Sequence, residues 1–211
     1  MSTKLNLRIH FVKCVDETGG GFVERFGNDE IYLGGFSIDA KARTAKINPF
    51  SVNASFDDGD IQRYNPPRVF ATYQLGTNLT RSANFSAGFL LIEKDNGGMD
   101  TAVKKLYDKL VTEVKKRKDE LENRVDSIIP VGVGQVALSL IWSYVKPILY
   151  EYVKDKIIGW FEDDLFPLQD VSTTIMNANH TWHGKKYSPV NMVEFRGNDG
   201  VYQLYYDWEL E

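Results

Sequence analysis

Residues 201–210, Val-Tyr-Gln-Leu-Tyr-Tyr-Asp-Trp-Glu-Leu, place an apolar or aromatic side chain at every second position from Tyr202 to Leu210. This alternation predicts a β-strand with one buried face. The N-terminal residues show the same pattern, because apolar and polar side chains alternate from Leu5 to Phe11. Both ends of the sequence are therefore predicted to be strands.

Six further segments have strand patterns, and they are separated by clusters of glycine, proline and aspartate, which favour turns. Between the fifth and sixth strands, apolar residues recur at helical spacing on a charged background. The predicted strands are 4–14, 29–38, 43–48, 68–75, 85–94, 169–178, 189–195 and 200–210. Two helices are predicted within 99–162, the first with an apolar stripe from Leu106 to Val125 and the second at about 133–161.

Eight strands with short turns favour an antiparallel β-sandwich, here interrupted by two helices. We predict a mainly β fold with an α insertion in one domain, 1–211, made of β residues 1–98, a helical insertion 99–162 and β residues 163–211. The alternative is two domains joined by a helical linker. Insertion is favoured because three strands are few for an independent sheet.

An uncharged stretch of 18 residues, 128–145, runs into the second helix. One interpretation is a helix buried between the sheet and the first helix. A second interpretation is a hairpin that leaves the sandwich and inserts into a bilayer. A third is a permanent membrane anchor, for which 18 residues is about the lower limit of length. The continuation of foldable sequence on both sides favours the first interpretation.

Composition excludes several classes of protein. The 211 residues have a net charge of −4, are 43% hydrophobic and include one cysteine. Such a chain is too apolar for disorder, lacks the cysteines of a disulfide scaffold, and is too acidic for a nucleic-acid binder. Cys14 is predicted to be a buried free thiol. The N-terminus lacks a signal-peptide pattern, so we expect cytoplasmic synthesis, with any export by a route that does not read such a signal.

The acidic residues are predicted to gather at one end of the sandwich. Because antiparallel strands alternate in direction, the loops 15–28, 49–67, the residues after strand five and the loop 196–199 share that end. Loop carboxylates and carbonyls are the ligands that Ca²⁺ prefers. If a site exists, its expected ligands are Asp16, Asp58, Asp60 and Asp95. The alternative is that these residues only form turns.

The acidic loops carry a resemblance to a known family. The segments concerned are Val12-Lys13-Cys14, Glu17-Thr18, Asp29-Glu30-Ile31-Tyr32-Leu33, Phe56-Asp57-Asp58-Gly59-Asp60 and Glu93-Lys94-Asp95. In arrangement they resemble C2-like β-sandwich modules, of the kind found in bacterial toxins and effectors. That resemblance implies acidic end loops that use Ca²⁺ to meet membranes or protein partners. An ordinary C2 domain has no helical hairpin.

No catalytic signature is evident in the sequence. The leading hypothesis is a non-enzymatic binding or effector module that engages a membrane or a protein partner through its acidic end. The second is a bacterial toxin or exported cargo whose apolar hairpin inserts into a target membrane. A hydrolase that uses the end carboxylates comes last.

Overall fold

The computed structural model describes residues 3–17, 29–75, 82–93, 98–125, 136–157, 165–177, 179–197 and 200–211. Its elements are β1 (Lys4–Asp16), β2 (Asp29–Ile38), β3 (Thr44–Phe56), β4 (Ile61–Gln74), β5 (Ala83–Glu93), α1 (Met99–Val125), α2 (Val136–Tyr152) with a π-helical turn (Val153–Ile157), β6 (Gln169–Ile175), β7 (Asn191–Gly197) and β8 (Gly200–Leu210). The prediction of a mainly β chain with eight strands and two helices is confirmed.

The strands form two four-stranded sheets in which every pairing is antiparallel. Sheet 1 has the order β4-β1-β8-β7, and sheet 2 has the order β3-β2-β5-β6. The inner faces of the two sheets enclose one hydrophobic core, which includes Leu7, Leu33, Phe89 and Trp208. Cys14, the one cysteine of the sequence, also lies buried in this core, as predicted.

A second core lies on the outer side of sheet 2, under the two helices. It contains Phe36 and Leu90 from the strands, Leu106 from α1, and Val145 and Leu149 from α2. The apolar stripe of α2 is thus buried against sheet 2 and α1. Within the described residues, neither helix has the length and apolar content that a membrane span needs. Insertion of the hairpin into a bilayer stays a hypothesis.

The prediction of an acidic loop at 49–67 was wrong in its extent. Strand β3 continues to Phe56 and β4 begins at Ile61, so only residues 57–60 form the connection. Pro66 and Pro67 had suggested a break. They are accommodated because β4 is an edge strand, where proline is tolerated, and because the pairing shifts there. Ile9 of β1 pairs with Arg68, whereas Phe11 pairs with Arg63.

One carboxylate attaches α2 to sheet 2. Asp170 of β6 lies 3.3 Å from Nε1 of Trp142 and 2.8 Å from the hydroxyl of Tyr150. Nζ of Lys146 is also 2.8 Å away. These three residues are spaced by four, so they share one helix face. Burial, and then the hydrogen bond to Asp170, raise the pKa of Tyr150, so its hydroxyl stays a donor.

We expect Asp170→Ala to loosen α2 selectively. Three polar partners on the helix would lose their acceptor, which costs about 1–3 kcal/mol. Hydrogen exchange should show faster exchange for amides of residues 141–153, with β1 and β8 unchanged. Asp119→Ala, an exposed position on α1, is the control. Equal protection of α2 in the two variants would contradict this role for Asp170.

Candidate functional site

The acidic end of the sandwich is built by the last residues of β1 and the turn 57–60. The backbone N–H of Gly59 donates to the carbonyl of Cys14, at 3.2 Å, and the N–H of Cys14 donates to the carbonyl of Asp60, at 3.0 Å. Lys13 pairs with Ile61 and Asp16 pairs with Val201, so the β7–β8 connection reaches the same end. The predicted sharing of one end by these connections is therefore correct.

Three aspartates of the turn accept backbone hydrogen bonds. Oδ1 of Asp58 accepts from the N–H of Glu17 at 2.8 Å, and Oδ1 of Asp57 accepts from that of Asp58 at 2.8 Å. Oδ2 of Asp60 accepts from the N–H of Asp57 at 3.2 Å. Such bonds are those of turn-forming aspartates. They also hold one oxygen of each carboxylate in place, on side chains of exposed residues.

The structure places three of the four predicted calcium ligands together at this end: Asp16, Asp58 and Asp60, all exposed. The fourth, Asp95, lies outside the described residues. Among the residues that are described, no group of three or more His, Cys, Asp or Glu side chains is arranged to hold a metal. The calcium site therefore stays a prediction.

Two apolar side chains are exposed beside these acids. Val15 is 41% exposed and Ile61 is 40% exposed. They belong to neighbouring strands that meet at the acidic end. An end that combines carboxylates with exposed aliphatic side chains can contact both the polar and the apolar parts of a partner surface.

A cleft of about 540 Å³ opens on the outer side of sheet 1, whereas the described helices pack on sheet 2. We call it the sheet-1 cleft. Its floor is formed by four strand residues, Arg8 and His10 of β1 and Asp207 and Glu209 of β8, and its wall is the segment 182–190.

An ion-pair network fixes the floor of the cleft. Nε and Nη2 of Arg8 donate to the two carboxylate oxygens of Asp207, at 2.9 and 2.6 Å. Nη1 of Arg8 lies 2.7 Å from Oε1 of Glu209. The side chain of Asp207 is only 2% exposed and that of Arg8 is 15% exposed. The hydrogen bonds to Asp207 raise the pKa of Arg8, so its guanidinium stays protonated.

His10 occupies an irregular position in β1. The register shifts between Ile9 and Phe11 on both sides of the strand, against β4 and against β8. Such bulges redirect side chains. Nε2 of His10 is buried, lies 3.1 Å from Oδ2 of Asp207 and has no hydrogen-bond partner among the described residues. This ring nitrogen therefore faces the carboxylate of Asp207 on the floor of the cleft.

A tight turn positions the wall of the cleft. Trp182 and Lys185 exchange two backbone hydrogen bonds, of 2.9 and 3.0 Å. His183 and Gly184 between them have φ values of 52° and 80°, the signs that a type I′ hairpin turn requires. Tyr187 then bridges to Glu209 of β8. The wall is therefore attached to the strand that supplies half of the floor.

The sequence analysis did not find the sheet-1 cleft. Alternation does place Arg8 and Asp207 on the outer face of their strands. Their contact, however, depends on pairing between residues 199 positions apart, and a sequence pattern does not give that register. The dipeptide His183-Gly184 was the available turn signal for the wall.

Comparison with protein-family models, with curated proteins and with solved structures gave no match to this chain. The chemistry of this chain therefore rests on two places, the acidic end and the sheet-1 cleft. The acidic end offers exposed aspartates next to exposed aliphatic side chains. The sheet-1 cleft offers fixed charges opposite aromatic rings.

Proposed function

We propose that this protein is a non-enzymatic, C2-like binding module that engages a membrane or a protein partner through its acidic end, with Ca²⁺ as the bridging ion. The observation that carries the proposal is the placement of Asp16, Asp58 and Asp60 at the same end of a two-sheet antiparallel sandwich. The resemblance to C2-like modules implies the same architecture and the same placement of acids.

Calcium gives these residues a common role. Clustered carboxylates repel each other, and a divalent cation that takes six to eight oxygens removes that repulsion. Bound Ca²⁺ would also leave coordination positions for phosphate or carboxylate oxygens of the partner. Val15 and Ile61 then supply apolar contact at the same end.

We expect Ca²⁺ to raise the melting temperature of the full chain. Saturation at about 100 times the Kd stabilises the folded state by about 2.7 kcal/mol, which corresponds to about 5–10 °C for a chain of this size. Asp58→Asn and Asp60→Asn should each remove most of the shift. Differential scanning fluorimetry with CaCl₂ measures it, and Asp119→Asn on α1 is the matched control.

The partner class is tested with the same variants. Ca²⁺-dependent cosedimentation with vesicles containing phosphatidylserine would identify a membrane surface, and its absence alongside a thermal shift would favour a protein partner. The calcium proposal would be contradicted if Ca²⁺ caused no shift in the melting temperature. It would also be contradicted if Mg²⁺ shifted the melting temperature as much as Ca²⁺ does, and equally in wild type and Asp58→Asn.

A further inference from the structure

We propose that the sheet-1 cleft is a second binding site, independent of calcium, for a neutral sugar residue of a glycan. Three features of the described residues support this ligand class: balanced charge, hydrogen-bonding groups of both kinds on the floor, and aromatic and apolar side chains on the wall.

The charges of the cleft cancel. Arg8 and Lys185 contribute two positive charges, and Asp207 and Glu209 contribute two negative ones. A phosphate or sulfate group would approach two carboxylates, both already in contact with Arg8, and an ammonium group would approach Arg8 and Lys185. An uncharged polar ligand avoids both repulsions and can form hydrogen bonds with the cationic and with the anionic side chains.

The floor has spare donors and acceptors. The guanidinium of Arg8 carries five N–H groups, and only part of them is directed at Asp207 and Glu209. Glu209 contacts Arg8 through Oε1, which leaves Oε2 for a ligand. Neighbouring hydroxyl groups on a ring, each both donor and acceptor, match this mixture.

The wall suits the apolar face of a sugar ring. Trp182, Tyr187, Pro189 and Val190 line it, and Tyr187 is 46% exposed and Val190 is 50% exposed. A pyranose has C–H groups on its faces and hydroxyls at its edge, so it can stack on an aromatic ring while its edge reaches the floor. A volume of about 540 Å³ lies within the range of small-ligand sites.

The floor and the wall of the sheet-1 cleft are both held in place, which favours binding of a small ligand. The floor is held by the paired strands β1 and β8 and by the ion pairs, and the wall by the turn at His183-Gly184 and the bridge from Tyr187 to β8. Little conformational entropy is then lost when a ligand binds.

The test is a titration of the full chain with four neutral hexasaccharides: cellohexaose, maltohexaose, mannohexaose and chitohexaose. We expect at least one to bind with saturable heat in calorimetry, unchanged by EDTA. Tyr187→Ala, which removes an exposed side chain and keeps the backbone bridge to β8, and Glu209→Gln should each weaken that binding by about tenfold or more. Met192→Ala, exposed on the same sheet outside the cleft, should not.

Three results would overturn the proposal: no binding of any of the four sugars, binding that Tyr187→Ala leaves unchanged, or preferential binding of inorganic phosphate or a heparin hexasaccharide. The outcome is separate from that of the calcium experiment, because EDTA and Asp58→Asn act on the acidic end alone. Sugar binding that persists in Asp58→Asn would support two independent sites.

Discussion

Gly35→Ala is expected to lower the free energy of unfolding by about 3–5 kcal/mol, the sum of overpacking and backbone strain. Gly35 of β2 has a φ of 148°, and a methyl group there would overlap the carbonyl oxygen of Gly88 on the paired strand β5. Because the obstacle is backbone, it cannot rotate away. Urea unfolding measures the loss.

Gly184→Ala is the matched control for Gly35→Ala. Its φ is 80°, also a region that favours glycine, but nothing lies within 4 Å of the added methyl group. The control should cost only about 1–2 kcal/mol, the conformational part. Equal losses in the two variants would show that crowding between β2 and β5 contributes nothing.

The second large effect is expected for Asp207→Ala. Removing this carboxylate leaves the guanidinium of Arg8, 15% exposed, with Glu209 as its remaining acidic partner on the cleft floor. Breaking a buried pair costs about 3–5 kcal/mol, and the remaining contact with Glu209 reduces this to about 2–3 kcal/mol. Urea or thermal unfolding measures it.

A double variant separates the charge effect from packing. Arg8→Met with Asp207→Leu removes both charges and should recover most of the lost stability, as replacement of buried pairs by apolar residues often does. Glu194→Gln, which breaks an exposed pair with Arg196, should change stability by less than about 1 kcal/mol. If the double variant is as unstable as Asp207→Ala, an unpaired charge is not the cause.

The strand count and the helical insertion were predictable because their signals are local. Alternation from Tyr202 to Leu210 marks β8, and four-residue spacing marks the buried face of α1 at Leu106, Leu110 and Val114. The direction of successive strands then placed Asp16 near Asp58 and Asp60 without knowledge of the pairing.

The features that were missed depend on contacts that a single sequence does not encode locally. Phe11 was expected inside the sandwich, but the bulge beside it turns its ring outward, where it stacks on Tyr205 at 4.1 Å. The prolines of β4 suggested a loop because edge position is a property of the sheet and not of the segment. The sheet-1 cleft required the register between β1 and β8.

The pairing of β1 with β8 also sets a fixed distance across the molecule. Val201 of β8 lies opposite Asp16 at the acidic end, and Asp207, six residues further along, lies opposite Arg8 in the sheet-1 cleft. At about 3.3 Å per residue, the two positions are about 20 Å apart on a continuous strand. A molecule holding a ligand at each position would act as a rigid crosslinker, and its two ligands would be joined at a set spacing without a flexible linker.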